Sequence, residues 1–377
     1  VGTAPARRRR IAIGAAAGLA VAAFAFGAAL SDRRSEPAPS AASELSLPAL
    51  AGQRLVAGFP GTAVPAPLRR TIRRGELAGV ILFEGNLPGR EAARRLVDEL
   101  ESIPRPLGLR DPLLVMIDQE GGLVKRLGGP PSASAQQMGA AGATFSRQQG
   151  RATAASLGGV GINVDLAPVL DVARPGGTIA AEERAFGSTP TQVAETAVPF
   201  AERLQAGGVA ATAKHFPGLG AAAENTDFAV QRIELSRQTL RAVDERPYRE
   251  YVARGGEMVM LSTAIYPAFS SRPAAFARQI ASGELRDRIG FGGVSITDAL
   301  ESVAVRDFGG PAKVAIAGAK AGTDLLLFTD YRAAASAHEA MLLGLRGGEL
   351  RRPQFEASVS RVLRLRHRLS ATAGRPR

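Results

Sequence analysis

The 377-residue chain contains no cysteine. This excludes a disulfide framework, a thiolate metal site and a lipidated N-terminal Cys as an anchor. Histidine is nearly as scarce: His215, His338 and His367 are the full set, too few for a multi-histidine metal centre. No metal or organic cofactor is expected. Lysine occurs four times, tryptophan is absent and aromatic residues make up 5% of the chain. Arginine therefore carries the net charge of +12, and much of the excess sits in Arg7–Arg10 and in the tail from Arg361 to Arg377. An Arg- and Ala-rich composition without aromatics interleaved as stacking platforms does not read as a nucleic-acid footprint. No nucleic-acid partner is expected.

The remaining composition, 45% hydrophobic and 22% charged, is that of an ordinary globular protein. The length suffices for one large domain or two modest ones with a substantial core. Ile11 to Leu30 is an unbroken apolar run of about bilayer-spanning length. Arg7–Arg10 before it orients the N-terminus toward the cytoplasm. The run is Ala- and Gly-rich, so a cleaved signal peptide and an uncleaved anchor crossing the membrane through residues 11–30 both remain open. Either exports the remainder, which predicts an extracytoplasmic domain, membrane-anchored or secreted. A buried core helix is disfavoured, because no polar residue interrupts the run to give it an outer face. Residues 31–46, with Asp32, Arg33, Arg34, Pro37, Pro39 and several Ser and Ala, read as a disordered linker. The folded domain is expected over 47–377.

From there a short apolar run, a loop and an amphipathic stretch recur eight times. The runs are Arg54–Phe59, Gly79–Phe83, Leu113–Ile117, Ile162–Ala167, Val209–Ala213, Met258–Leu261, Gly293–Ile296 and Thr323–Phe328. Helical patterns between them include Glu91–Ile103, Ser146–Leu157, Pro190–Ala206, Ser236–Arg254, Pro273–Arg288, Gly310–Ala321 and Ala333–Leu345. Continuous apolar strands alternating with helices imply a parallel α/β fold with strands buried on both faces. Eight of them predict a closed (β/α)8 TIM-type barrel as a single catalytic domain. The alternative, a doubly wound sheet, lacks the Gly-rich phosphate turn after its first strand.

Catalytic groups of such barrels come from the C-terminal ends of the strands. Just past the runs stand Asp118-Gln119-Glu120-Gly121-Gly122, then Asp165 through Asp171, Lys214-His215, Asp298 and Asp330. Solvated loops alone do not predict a carboxylate or a base after several consecutive strands.

Ile117-Asp118-Gln119-Glu120-Gly121-Gly122-Leu123-Val124-Lys125-Arg126 resembles the signature of family 3 glycoside hydrolases, in the branch of bacterial β-N-acetylhexosaminidases. Leu166-Ala167-Pro168-Val169-Leu170-Asp171-Val172, Glu183-Arg184-Ala185-Phe186-Gly187 and Lys214-His215-Phe216-Pro217-Gly218 follow in the family's order. Ser295-Ile296-Thr297-Asp298-Ala299-Leu300 takes the place of its nucleophile segment. The resemblance runs from about residue 50 to about residue 365. It implies an exported retaining glycosidase that releases β-linked N-acetylhexosamine from glycans or cell-wall (peptidoglycan) fragments. Asp298 would be the nucleophile, suited to an oxocarbenium-like transition state. Asp118, Arg126, Arg184, Lys214 and His215 would hold the sugar. The bland readings are an N-cap role for Asp298 and mutual ion pairing among the charged residues.

One loop departs from the pattern. The family continues after Lys-His-Phe-Pro-Gly with His-Gly and ends in Asp-Ser-His, whose Asp–His pair supplies the acid and base. Here Asn225 stands where the Asp should be and Asp227 where the His should be. A carboxyl can donate a proton if burial or neighbouring carboxylates raise its pKa, which makes Asp227 the candidate acid/base and Glu224 a second candidate. The alternative is a catalytically impaired carbohydrate-binding pseudoenzyme on the same barrel.

Overall fold

The computed structural model describes residues 1–2 and 42–373. The apolar run Ile11–Leu30 and residues 31–41 lie outside the described residues. Among the described residues no helix is long and apolar enough to cross a membrane. Ala42 is buried and Ser46 caps the helix Leu47–Gly52, accepting from the Ala49 N–H, so packed chain begins ahead of Leu47.

All eight apolar runs form parallel strands: β1 (Leu55–Ala57), β2 (Gly79–Leu82), β3 (Leu114–Ile117), β4 (Val164–Asp165), β5 (Ala210–Phe216), β6 (Met258–Leu261), β7 (Val294–Thr297) and β8 (Leu326–Phe328). Parallel ladders join them in chain order, and β1 also pairs with β8. A bridge from Ile296 to Leu325, with the Thr297 N–H donating to the Leu325 carbonyl at 3.0 Å, completes the ring. The period of two along each strand sorts its side chains into two cores. Leu114, Met116, Met258, Met260, Leu325 and Leu327 fill the barrel, whereas Val115, Ile117, Val259, Leu261, Leu326 and Phe328 pack outward.

The outer helices follow the expected stretches, except that the run expected over 273–288 divides into a 3-10 turn at Ala274–Phe276 and a π-helix over Gln279–Arg288, and a second run also breaks. The run expected over 236–254 divides into a turn at Arg237–Thr239, a π-helical turn at Leu240–Asp244 and a helix over Arg246–Ala253. Pro247 explains the break, since it has no N–H to extend the ladder from the preceding turn.

Part of the basic tail is packed into the fold. Arg352–Ala373 forms a helix of 22 residues across the N-terminal end of the barrel, placing Val362, Leu365 and Leu369 in the inner core. Arg361, Arg366 and Arg368 are spent internally, whereas Arg352 and Arg364 are exposed. Arg366 is 1% exposed and donates to the carbonyls of Pro112 and Leu109 at 2.9 and 3.1 Å. Burial lowers its pKa to about 10. Arg361 Nη2 binds Asp324 Oδ1 at 2.7 Å. Asp324 is fully buried and also accepts from Arg286 and from the Ser295 N–H. Burial alone would raise the Asp324 carboxyl, but Arg286 and Arg361 outweigh it and hold it below the usual carboxylate value.

Replacing Asp324 leaves two cations without their carboxylate in the interior, a change that costs about 3–5 kcal/mol. Asp324→Ala is therefore expected to lower the unfolding free energy by about that amount, read as a fall in the guanidinium chloride midpoint. An unchanged midpoint would show that the barrel floor does not depend on this carboxylate.

Candidate active site

The opposite, C-terminal end of the barrel holds a cavity of about 340 Å³. Asp118, Arg126, Arg184, Lys214, His215, Asp227 and Asp298 all line it, so the structure brings every expected site residue together. Asp118 follows β3 and Asp298 follows β7, while Lys214 and His215 lie within β5. A hairpin of Gln119–Gly121 against Val124–Lys125 carries Glu120 and leads into Arg126. Its turn needs glycine: Gly121 has φ 94°, and a Cβ there would lie 2.2 Å from the Ala133 carbonyl oxygen.

The wall of the cavity is a chain of buried charges centred on Glu120. Both oxygens of Glu120 accept from Arg184, Nε at 2.9 Å and Nη2 at 2.8 Å, and Lys214 Nζ lies 2.8 Å from Oε1. Lys214 also donates to Asp118 Oδ1 at 2.6 Å, and Arg184 Nη1 to Glu182 Oε2 at 3.1 Å. Burial alone would raise the Glu120 carboxyl, but Arg184 and Lys214 outweigh it and hold it well below the usual carboxylate range. The converse holds for Lys214 and Arg184. Burial opposes their charge, and the carboxylates facing them more than restore it. Mutual ion pairing is thus real, yet it does not exhaust the donors. Lys214 has three N–H groups and Arg184 five, so each keeps donors for a ligand. Arg126 differs, since its Nε is buried with no hydrogen-bond partner.

His215 is fixed from behind. Its Nδ1 lies 2.7 Å from Asp171 Oδ2, and Asp171 Oδ1 accepts the N–H groups of His215 and Leu219 at 3.1 and 2.7 Å. Nε2 is the nitrogen left for the cavity. Beneath it, Asp165 accepts from the Gln119 N–H through Oδ1, while Oδ2 is buried and unpaired. Burial raises this carboxyl well above its ordinary value, which suits a neutral acid.

Asp298 is not a helix cap. Its Oδ1 accepts only from the adjacent Ala299 N–H at 2.8 Å, and the next helical turn, Val303–Phe308, begins after Ser302. Asp227 reaches the same cavity from the loop after β5. The loop is tied to the segment following Asp298 by two backbone bonds, Val303 N–H to the Asp227 carbonyl and Ala304 N–H to that of Thr226, both 3.2 Å. Asn225 Oδ1 accepts the Asp227 N–H at 3.0 Å, so the amide shapes the turn. Burial of its carboxyl and the charge of Asp298 raise the pKa of Asp227, against the opposing charge of His215. Glu224 and Asp227 are both exposed residues, but only Asp227 lines the cavity. Asp330 is also absent from the lining and caps the helix Tyr331–Arg346.

Glu120, Asp171 and Glu301 carried no role in the sequence reading. The first two lie inside the quoted motifs, but only geometry shows that Glu120 links two cations and Asp171 holds His215. Glu301 lines the cavity and accepts the Thr329 N–H at 3.0 Å, anchoring the chain after Asp298 to the end of β8. Its position, three residues after Asp298, was the available signal.

Residues 52–365 match the glycosyl hydrolase family 3 N-terminal domain. A protein of Arthroderma benhamiae described as an uncharacterized secreted glycosyl hydrolase is 36% identical over 345 residues, covering 89% of this chain and 96% of that one. A beta-hexosaminidase of Xylella fastidiosa is 34% identical over 285 residues, covering 72% and 82%. Among solved structures, a glycoside hydrolase family 3 beta-N-acetylglucosaminidase from Paenibacillus superposes with a TM-score of 0.83 at 32% identity. The match covers 88% of this chain and 64% of that one.

The charge of Asp298 is one cause of the raised Asp227 pKa, so Asp298→Asn is expected to bring that pKa down toward the ordinary aspartate value. Carboxyl-carbon NMR titration of the two proteins is the check. A pKa unmoved by the substitution would place the two carboxyls in separate sites.

Proposed function

The chain belongs to glycosyl hydrolase family 3, and on that premise we propose that it releases β-linked N-acetylhexosamine, chiefly N-acetylglucosamine, by a retaining mechanism. It is a glycoside hydrolase related to β-N-acetylglucosaminidases. The observation that carries the finer reading is a pair of carboxyls on one cavity. Asp298 is bonded only to its neighbouring N–H, and Asp227 has a pKa raised by burial and by Asp298.

Two carboxyl groups with separated tasks are what retaining hydrolysis requires. The Asp298 carboxylate attacks the anomeric carbon while protonated Asp227 gives its proton to the departing glycosidic oxygen. A glycosyl ester on Asp298 results. Asp227, now a carboxylate, takes a proton from water, whose oxygen displaces the ester and returns Asp298 to its ionised form. Asp118, Arg126, Lys214 and His215 hold the ring oxygens and the acetamido group, and Arg184 adds the donors that Glu120 leaves free. Fixing a substrate between such rigid, ion-paired groups lowers the entropic part of the barrier.

The basic cluster 7–10 and the apolar run 11–30 support export, with the stretch from residue 31 as a linker that ends before the packed Ala42, and the Arthroderma relative described as secreted supports the same location. An extracytoplasmic hexosaminidase meets glycans and cell-wall fragments, the substrates we propose. Cell fractionation with protease accessibility checks the location.

Asp298→Asn keeps shape and removes the attacking charge. It is expected to abolish most turnover of an aryl β-N-acetylglucosaminide with the fold intact by circular dichroism. Activity within about tenfold of the parent would overturn the nucleophile assignment. Asp227→Ala is expected to lower the rate by about 10²–10⁴-fold on a disaccharide, whose poor leaving group needs a proton. On a highly activated aryl glycoside it should lose far less. Asn225→Asp with Asp227→His restores the family's pair and should raise activity on poor leaving groups at neutral pH. Equal losses on both substrates would rule out Asp227 as the acid.

A further inference from the structure

We propose that the rim of the cavity is a leaving-group platform, with Phe228 and Val230 on one lip and Leu123 on the other, selecting substrates whose leaving unit presents an apolar face. The class intended is a second pyranose ring offering its C–H face. This rests on the glycosidase reading and names the substrate's other half.

The first argument is one of volume. At about 340 Å³ the cavity is near the lower end of ligand pockets, ~300–1,000 Å³. A pocket of that size suits a single N-acetylhexosamine, which leaves the rim for the unit beyond the scissile bond.

The second argument is where exposed apolar surface falls. Among the described residues the exposed large hydrophobic side chains are Val1, Leu107, Leu123, Phe228, Val230 and Leu343. Half of them stand on the two segments that form the lips. Phe228, 77% exposed, directly follows Asp227, the residue that meets the departing oxygen. Leu123, 75% exposed, directly precedes Val124, which lines the cavity. A single exposed apolar side chain needs no explanation, but three on the two segments whose neighbouring residues line a polar cavity point to a binding surface.

The platform is also held in place. The N–H groups of Phe228 and Ala229 both donate to the Asn225 carbonyl, at 3.0 and 3.1 Å, and Gln231 accepts the Ala223 N–H at 3.1 Å through its side chain. The Gln231 carbonyl in turn accepts the Ile265 N–H at 2.9 Å, fixing the end of the loop to the chain after β6. A ring laid on Phe228 meets a surface already ordered, so little entropy is lost in forming the contact.

The test uses the full chain and two substrates of one glycone: the β-linked disaccharide of N-acetylglucosamine, and N-acetyl-β-glucosaminyl fluoride, which has no leaving ring. Phe228→Ala should lower the ratio of kcat/KM for the disaccharide over the fluoride by about tenfold, equivalent to ~1.4 kcal/mol. Most of the change should appear in KM. Phe228→Trp should hold that ratio at the parent value or above, and Leu123→Ala should lower it less. A second readout does not depend on turnover. In Asp298→Asn protein, titration calorimetry should show the same fall in the disaccharide-over-monosaccharide affinity ratio when Phe228→Ala is added. An unchanged affinity ratio, or a Trp variant that behaves like the Ala variant, overturns the proposal. A parent chain inactive on the fluoride would instead overturn the glycosidase reading, and the affinity ratio would still decide the platform.

Discussion

The active end of this barrel depends on one buried carboxylate. Glu120 comes from a hairpin that crosses the barrel mouth and holds Arg184 in a two-point grip while sharing Lys214 with Asp118. Two cations at 9% and 2% exposure would be strongly unfavourable unpaired. Held by Glu120, they stay charged and keep N–H groups beyond those the carboxylates use. Two cations that line the cavity are thus positioned by one carboxylate set between them.

The far end repeats the device with the opposite outcome. Asp324, fully buried, binds Arg286 and Arg361 as Glu120 binds Arg184 and Lys214. There, however, the long C-terminal helix closes the opening and fills it with Val362, Leu365 and Leu369. At the floor, apolar packing surrounds the charges. At the mouth a cavity surrounds them. The same electrostatics therefore sits in a closed core at one end and on an open cavity at the other, and what separates the two is whether a helix covers the opening.

The strands were legible because each is a short continuous apolar run, a pattern that burial on both faces forces on a parallel barrel. Six of the seven candidate residues were singled out because they lie in ordered motifs, and Asp227 because its loop departs from one; all seven line one cavity. Relations across the chain were not. Nothing in the spacing of Glu120 and Arg184 reveals their pairing, and Asp171 resembles any polar residue of a loop until His215 lies against it. The C-terminal arginines misled in another way. Composition counts charge but not its partners, so Arg361 and Arg366 counted only toward a basic excess although both are used inside the fold. Pro247 was visible, yet its effect on the helix around it depends on a ladder register that composition does not encode.

The loop carrying Asp227 is joined to the segment after Asp298 by main-chain groups alone: the carbonyls of Thr226 and Asp227 accept the N–H groups of Ala304 and Val303. Such a joint is indifferent to side-chain identity. Whatever side chain stands at position 227, these two bonds fix where its backbone lies relative to the chain after Asp298. The loop behaves as a socket with a replaceable fitting, since the frame asks nothing of the side chain it carries.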